Sequence, residues 1–418
     1  MKRAVCGLAM GIFVLSATLA SAGQLTPPLD WGTTARAMAL GNAMTAVAGD
    51  PSLSYHNPAA LANIGNSELN ITYLWTGPKL EGGPKGELEK FDEGNNVAFS
   101  NLVVDLSSIF RNERPFAFGF TMNFDRSGQG FINFIDVKRP DGYFYRYGRT
   151  STMATTTLGL GITDWLYIGG GTLITLRGTT DFTVSTDLGG NTEDEGMILD
   201  ARLAHSLIAS VFFDFEKANL GVTYRMENYG KFGDIVVDAD ATVGESRLTK
   251  LPMVLSFQDT YVPQNVSIGA SFDLTDDLMW TVDGTWINWG AFDSQVKDGD
   301  LPRKRAQIDF VDVYQPRTGL EYFVVENLPL RLGYQYQPTP MRKPGSDGNI
   351  FLDNDRHVGS IGVGYTVQEP PILALPVSFD LTYFHQYLVP AEYEDGDGAT
   401  FESKGNVNAA SGSITLRF

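Results

Sequence analysis

The sequence predicts an all-β protein. The expected architecture is a transmembrane antiparallel β-barrel of about 14 strands, with an N-terminal, partly helical hatch plugging the lumen. Three observations carry this. Many segments alternate apolar and polar residues with period two. Short turns and long polar segments follow each other in turn along the chain. The stretch "ARAMALGNAMTAVAGDPSLSYHNPAALANIG" (35–65), rich in Ala, Gly and Asn, lacks that alternation and reads as short helices.

The first residues stand apart from the fold. Lys2 and Arg3 form a positive n-region, Ala4 to Leu19 is mostly apolar, and Ala20-Ser21-Ala22 is a cleavage signal. This predicts a signal peptide over 1–22, a hatch over 23–65 and a barrel over 66–418. Cys6 is the one cysteine and lies inside the signal, so the exported chain is held by its sheet and not by disulfides. Without Lys2 and Arg3, 29 of the 31 basic residues face 49 acidic ones, a net charge of −20. Such a chain repels nucleic acid, which is excluded as a partner. No later run reaches the roughly 18 apolar residues of a spanning helix. "PPILALPV" (370–377) is short and broken by prolines. A membrane form must therefore be a closed barrel, because in lipid only helices and barrels satisfy every backbone group.

The strands come next. In "ASGSITLRF" (410–418), Ala410, Gly412, Ile414, Leu416 and Phe418 share one face, and Ser411, Ser413, Thr415 and Arg417 the other. Leu278, Trp280, Val282 and Trp286 oppose Thr281, Asp283 and Thr285. Leu330, Leu332, Tyr334 and Tyr336 oppose Arg331 and Gln335, and Val377, Phe379, Leu381 and Tyr383 oppose Ser378, Asp380 and Thr382. A soluble sandwich gives the same alternation. The aromatic content of 12%, with Trp165, Tyr167, Trp286, Trp289 and Tyr387 near strand ends, instead suits interfacial girdles. Mean hydropathy is only −0.10, although no stretch is continuously apolar.

Loop lengths point the same way. Short turns fall at Thr163-Asp164, Glu216 to Ala218, Thr275 to Asp277 and Glu326-Asn327. Long polar segments lie between them, near 78–95, 125–147, 179–200, 229–260, 289–312, 338–356 and 389–405. Short turns at one end and long loops at the other are the outer-membrane pattern, which places the chain in the outer membrane of a Gram-negative bacterium.

About fourteen strands leave an open lumen that something must close. The small residues of the N-terminal segment suit compact packing there. Asp50-Pro51 and Asn57-Pro58 each read as a helix cap followed by proline at the first helical position, and Gly65 as a C-terminal cap. Arg36, Asp50 and Asn57 supply polar groups for a polar wall.

"GNAMTAVAGDPSLSYHNPAALA" (41–62), with Asn57-Pro58-Ala59 at its core, resembles the N-terminal signature of the long-chain fatty acid outer-membrane transporter (FadL) family, which includes aromatic-hydrocarbon uptake channels. The resemblance continues in "VPQNVSIGASFDLTDDLMWTVDGTWINWGAF" (262–292), "LPLRLGYQYQPTPMRKPG" (328–345) and "LDNDRHVGSIGVGYT" (352–366), and so covers most of the mature chain. It implies a fourteen-stranded barrel with a hatch, passive uptake of hydrophobic molecules, and lateral release at a kinked third strand. That strand reads as "FAFGFTMNF" (116–124), with Gly119 as the candidate lateral gate. The terminal Phe418 fits the family and is the expected contact for the barrel assembly machinery. A protein secretion or assembly scaffold and a general porin are the competing readings, since related barrels carry similar N-termini.

Little in the sequence points to catalysis. His56, His205, His357 and His385 lack metal-ligand spacing, and no nucleophile elbow or Walker loop occurs. No cofactor and no enzymatic activity are expected. Acidic loops carry weak cation candidates at Asp395 and Asp397, and suit association with lipopolysaccharide through bridging cations. A fatty acid needs a cation in the lumen, for which Arg331 is the candidate; Arg126, Arg146 and Arg149 cluster around a long loop.

Overall fold

The computed structural model describes residues 31–91, 95–110, 113–125, 153–187, 192–229, 234–243, 246–256, 261–291, 309–343, 354–370, 375–394 and 400–418. The signal call over 1–22, the first residues of the expected hatch, and Arg126, Arg146, Arg149, Asp395 and Asp397 lie outside these described residues.

Fourteen strands form a closed antiparallel barrel. They are β1 (Glu68–Pro84), β2 (Asn95–Asp105), β3 (Phe116–Asp125), β4 (Met153–Gly161), β5 (Leu166–Asp187), β6 (Thr192–Asp214) and β7 (Ala218–Arg225) in the first half. The second half holds β8 (Asn265–Thr275), β9 (Leu278–Ile287), β10 (Val313–Val325), β11 (Leu328–Gln337), β12 (Arg356–Val367), β13 (Val377–Glu394) and β14 (Thr400–Arg417). Each pairs with the next, and β14 closes on β1 from Glu68↔Arg417 to Pro84↔Phe401. At this seam the Phe418 N–H donates to the Ser67 carbonyl at 2.9 Å, and the Ser67 N–H returns the bond at 3.2 Å.

The wall is inverted relative to a soluble sheet. Its exposed face carries Ile71, Tyr73, Trp75, Leu332, Ile361, Leu381, Tyr383 and Ile414, while its buried face carries Asn70, Thr72, Thr281, Asp283, Gln335, Ser413 and Thr415. Apolar side chains point outward because lipid surrounds the barrel. β4 and β9, with 9 and 10 residues, have the length of a membrane-spanning strand. β5 and β6, with 22 and 23, run well past it. A hairpin of Asp234–Val243 and Ser246–Ser256 lies beside the far end of β5, in parallel register from Asp238↔Thr183. Among the described residues no helix is long and apolar enough to cross a membrane.

Residues 31–65 lie inside the barrel. α1 (Ala35–Ala39) is capped by Thr34, whose hydroxyl accepts the Ala37 N–H at 3.2 Å. A reversal follows in which Gly41 and Asn42 both have positive φ, 62° and 63°. α2 (Leu53–His56) leads into a 3-10 helix, Pro58–Asn63. The helix begins later than the Asp50-Pro51 reading expects. Asp50 instead accepts the Ser52 N–H at 2.8 Å and the Thr34 hydroxyl at 3.1 Å, and so ties the turn before α2 to the start of α1. Asn57 caps the 3-10 helix through the Ala59 N–H at 3.1 Å, with Pro58 at its first position. Gly65, at φ 73°, turns the chain toward β1.

Candidate functional site

The hatch seats on bare wall. Inward glycines on β3, β4, β5, β7, β8, β10, β11 and β12 (Gly119, Gly159, Gly169, Gly221, Gly269, Gly319, Gly333 and Gly362) each leave room for a hatch atom where a Cβ would stand. A Cβ on Gly319 would lie 2.6 Å from the Leu40 carbonyl oxygen, and one on Gly362 2.5 Å from the Ala39 Cβ. With no side chains between, polar groups of the wall reach the hatch backbone directly. Thr382 donates to Ala35 O (2.6 Å), Ser360 to Ala39 O (3.0 Å), Thr281 to Ala43 O (2.9 Å) and Ser271 to Ala46 O (2.8 Å). Asp283 accepts the Thr45 N–H at 2.9 Å, and Ser210 the Ala59 N–H at 2.9 Å. These bonds satisfy backbone groups that short irregular helices leave open.

Two arginines fasten the hatch on different sides, one of its own and one of the wall. Arg36 on α1 meets Glu321 of β10 through two bonds, Nη2 to Oε1 at 2.7 Å and Nε to Oε2 at 3.0 Å. The same carboxylate takes Arg331 Nε at 2.5 Å, and Arg331 Nη1 takes Asp380 at 2.5 Å. Arg331 thus faces the lumen, as its strand parity requires, but its guanidinium is engaged by two carboxylates. On the other side Arg225 of β7 donates to the carbonyls of Tyr55 and His56.

Above the hatch the inner wall changes character. Going from the short-turn end toward the long loops, the inward residues of β14 run Thr415, Ser413, Ser411, then Ala409 and Val407. Those of β13 run Ser378, Asp380, Thr382, then Phe384 and, past Gln386, Leu388. Those of β1 run Glu68, Asn70, Thr72, then Leu74 and, farther on, Leu80. On β13 and β14 the switch falls at one level, because Phe384 pairs with Ala409, and on β1 it comes one pair nearer the short turns, with Leu74 beside Ser411. Val97 and Phe99 of β2 and Val358 of β12 complete an apolar patch inside the barrel. From the hatch, Met38 and Trp31 pack onto it, the Trp31 ring 4.6 Å from that of Phe384. Met153, Leu173, Ile208 and Val262 form a second inward apolar cluster across β4, β5 and β6.

Gly119 lies in β3, in unbroken register with Val103 on one side and Thr157 on the other. Its inner face is covered by Leu61 and Ser54 of the hatch, at 2.6 Å and 2.9 Å from a Cβ built there. Here the glycine serves close approach; the strand carries no bulge at this point. His205, His357 and His385 lie on the exposed outer face, and His56 is inside the hatch. Among the described residues no group of His, Cys, Asp and Glu could hold a metal ion.

Residues 12–418 match the model of the outer membrane protein transport protein family (OMPP1/FadL/TodX). The chain belongs to this family. It is therefore an outer-membrane transport protein, with the short turns in the periplasm and the long loops outside the cell. It is 24% identical over 394 residues to alkane uptake protein A of Marinobacter nauticus, which covers 88% of this chain and 86% of the relative. Its fold is shared with a Pseudomonas aeruginosa FadL homologue (TM-score 0.61, 16% identity, 93% of this chain and 97% of that one). It is shared too with the Pseudomonas putida toluene transporter TodX (TM-score 0.54, 12% identity, 93% and 99%) and the Ralstonia pickettii toluene transporter TbuX (TM-score 0.55, 13% identity, 93% and 99%).

Proposed function

We propose that the protein is a passive channel for neutral hydrocarbons, with linear alkanes the favoured class. The carrying observation is the apolar patch on the extracellular half of the inner wall, where a water-filled pore would be polar. A neutral cargo is favoured over a fatty acid by the engagement of three cations inside the barrel. Arg331 lies between two acids, Arg36 is on Glu321, and Arg225 is on hatch carbonyls. The similarity to an alkane uptake protein supports the same class. In this reading residues 23–65 are the plug of a barrel formed by 66–418, after removal of 1–22, and the chain performs no catalysis. Phe418 at the closing seam is the handle for the barrel assembly machinery, and lipopolysaccharide surrounds the long-loop end.

Release is lateral in this proposal. Withdrawal of the 3-10 helix bares the inner face of β3 at Gly119, where small inward residues, Ala117 and Gly119, back a lipid-facing row of Phe116, Phe118 and Phe120. The test is uptake of radiolabelled hexadecane, toluene and palmitate by cells with and without the protein. Hexadecane accumulation should depend on the protein and fall with Phe384→Ala. Dependence of palmitate alone would refute the neutral reading. Dependence of none, together with co-purifying proteins or constant ion conductance, would favour the scaffold or the porin.

A further inference from the structure

The two ends of the hatch are fastened by different chemistry. At α1 the grip is ionic, Arg36 on Glu321. At α2 the grip is made with neutral partners. Arg225 Nε donates to the Tyr55 carbonyl at 3.2 Å, Nη2 to the Tyr55 and His56 carbonyls, the latter at 3.0 Å, and Nη1 to Asn265 Oδ1 at 3.0 Å. Its guanidinium carbon stands 4.5 Å from the centre of the Tyr55 ring. The other bonds of this half to the wall are mostly neutral, among them Ser54 Oγ with Thr155 Oγ1 at 2.9 Å and Ala59 N to Ser210 Oγ at 2.9 Å, while Asn63 Nδ2 donates to the Asp214 carboxylate at 2.8 Å.

His56 lies in the middle of this grip. It is 5% exposed, and its Nε2 has no hydrogen-bond partner among the described residues. Its ring meets that of Tyr55 edge-on at 5.3 Å. The charged groups bearing on it are Arg225 on β7 and Arg317 on β10, and Asp283 on β9 is the acid beside them. That acid accepts the Thr45 N–H at 2.9 Å through Oδ2, while its Oδ1 has no hydrogen-bond partner among the described residues. A proton on His56 would add a third positive charge beside two guanidiniums and a single carboxylate in a buried contact, where unscreened repulsion is strong.

We propose that His56 makes the hatch acid-labile: its protonation frees the α2 and 3-10 half from β3 to β7, while the α1 half stays fastened by Arg36. The direction follows from linkage. Burial, and then Arg225 and Arg317, hold the seated imidazole well below its ordinary value of 6.5. The released ring returns toward 6.5, so the open form binds the extra proton. Seating is thus complete above that pH and weakens as pH falls through the window beneath it. With one proton taken up, the open-to-seated ratio rises about ten-fold per pH unit across that window. The half that lets go is the one covering Gly119, so acid exposes the proposed lateral exit.

The inference rests on residues 31–65 being the plug, and its test reads ion flow and not hydrocarbon uptake, so either reading can fail alone. Full-length protein is placed in planar bilayers at pH 7.5 and pH 5. Wild type should open far more often at the lower pH, and His56→Gln should not. Asp283→Asn should keep the acid step whatever its basal level, which separates the imidazole from the neighbouring carboxyl. In a Ser54→Cys/Thr155→Cys variant, a disulfide across the 2.9 Å contact should abolish the step, and reduction should restore it. That readout does not depend on the His56 variant folding. A wild type without an acid step overturns the proposal. So does a step of undiminished size in His56→Gln or in the oxidised cysteine pair.

Discussion

Replacing Arg36 with Met removes the ionic fastening of the hatch, together with the bonds of Nη1 to the Ala48 and Gly49 carbonyls. The alternative, removing Glu321, would take a carboxylate from both Arg36 and Arg331 and disturb the wall as well. Arg36→Met leaves Glu321 on Arg331 and Arg331 on Asp380, so the wall keeps its own pairs. The hatch loses two charge-assisted bonds, at 2.7 and 3.0 Å, to a carboxylate that is 2% exposed. Breaking a buried ion pair by removing one partner costs about 3–5 kcal/mol. Because Glu321 retains a second cation, the lower end of that range applies, or about a hundred-fold in the seated-to-open ratio. Methionine fills much of the arginine stem, which keeps lost packing from dominating. The assay is single-channel opening in planar bilayers at neutral pH, beside the heat-modified gel mobility of the folded barrel. Arg36→Lys should fall between, since it keeps the charge but not the two-pronged geometry. An opening frequency equal to wild type in Arg36→Met, with the barrel folded, would refute the latch.

Two further substitutions test the seat and the gate. Gly169→Val places a Cβ within 2.7 Å of Ala59 Cα, an overlap worth about 1–3 kcal/mol, and should raise conductance without reducing the yield of folded barrel. An unaltered conductance would show that the 3-10 helix does not rest on that strand as a plug. Gly119→Val meets Leu61 and Ser54 and should also raise the ion leak, yet hydrocarbon uptake should fall if the exit lies beside it. Uptake that rises together with the leak would remove Gly119 from the exit.

The sequence made the barrel legible because alternation and loop length are local signals. In 410–418 Ser411, Ser413 and Thr415 of the polar face are buried, Arg417 at its end is half-buried, and the apolar face looks out to lipid. The third strand, read as 116–124, is Phe116–Asp125. The site was harder to read, because it lies where alternation fails. "TYFHQYL" (382–388) places Tyr383 and Phe384 side by side, so both faces are aromatic; the inner of the two meets Trp31. The seat glycines were hidden among 45 glycines, and nothing local separates a glycine that admits a hatch from one that merely lies in a strand. A usable signal was present for the charged groups that hold the hatch. Arg225, Asp283, Arg317, Glu321 and Asp380 are charged residues at inward parity within strands, where a charge is costly unless something inside the barrel meets it. Which charge meets which depends on register across strands far apart in sequence.

The level at which the inner wall turns from polar to apolar bears on how cargo can leave. An alkane held against Leu74, Phe384 and Val407 is in apolar surroundings. Straight below it, toward the periplasm, the described inner wall offers Glu68, Asn70, Thr415, Asp380 and Arg331. Moving a chain into that environment exposes its methylenes at about 0.8 kcal/mol each, so ten of them cost about 8 kcal/mol. An axial route would need that barrier to be crossed for every molecule, with no energy source in the outer membrane to drive it. A sideways route through β3 descends to the level of Glu68 along an inner stretch that is apolar, Val103 and Ala117, and leaves through a strand whose outer face carries Phe116, Phe118 and Phe120. The polar lower half then has a purpose of its own: it supplies the hydroxyls, carboxylates and guanidiniums that fasten the hatch. In the proposed reading one wall seals against water below, binds hydrocarbon above, and leaves the lipid as the lowest-energy exit.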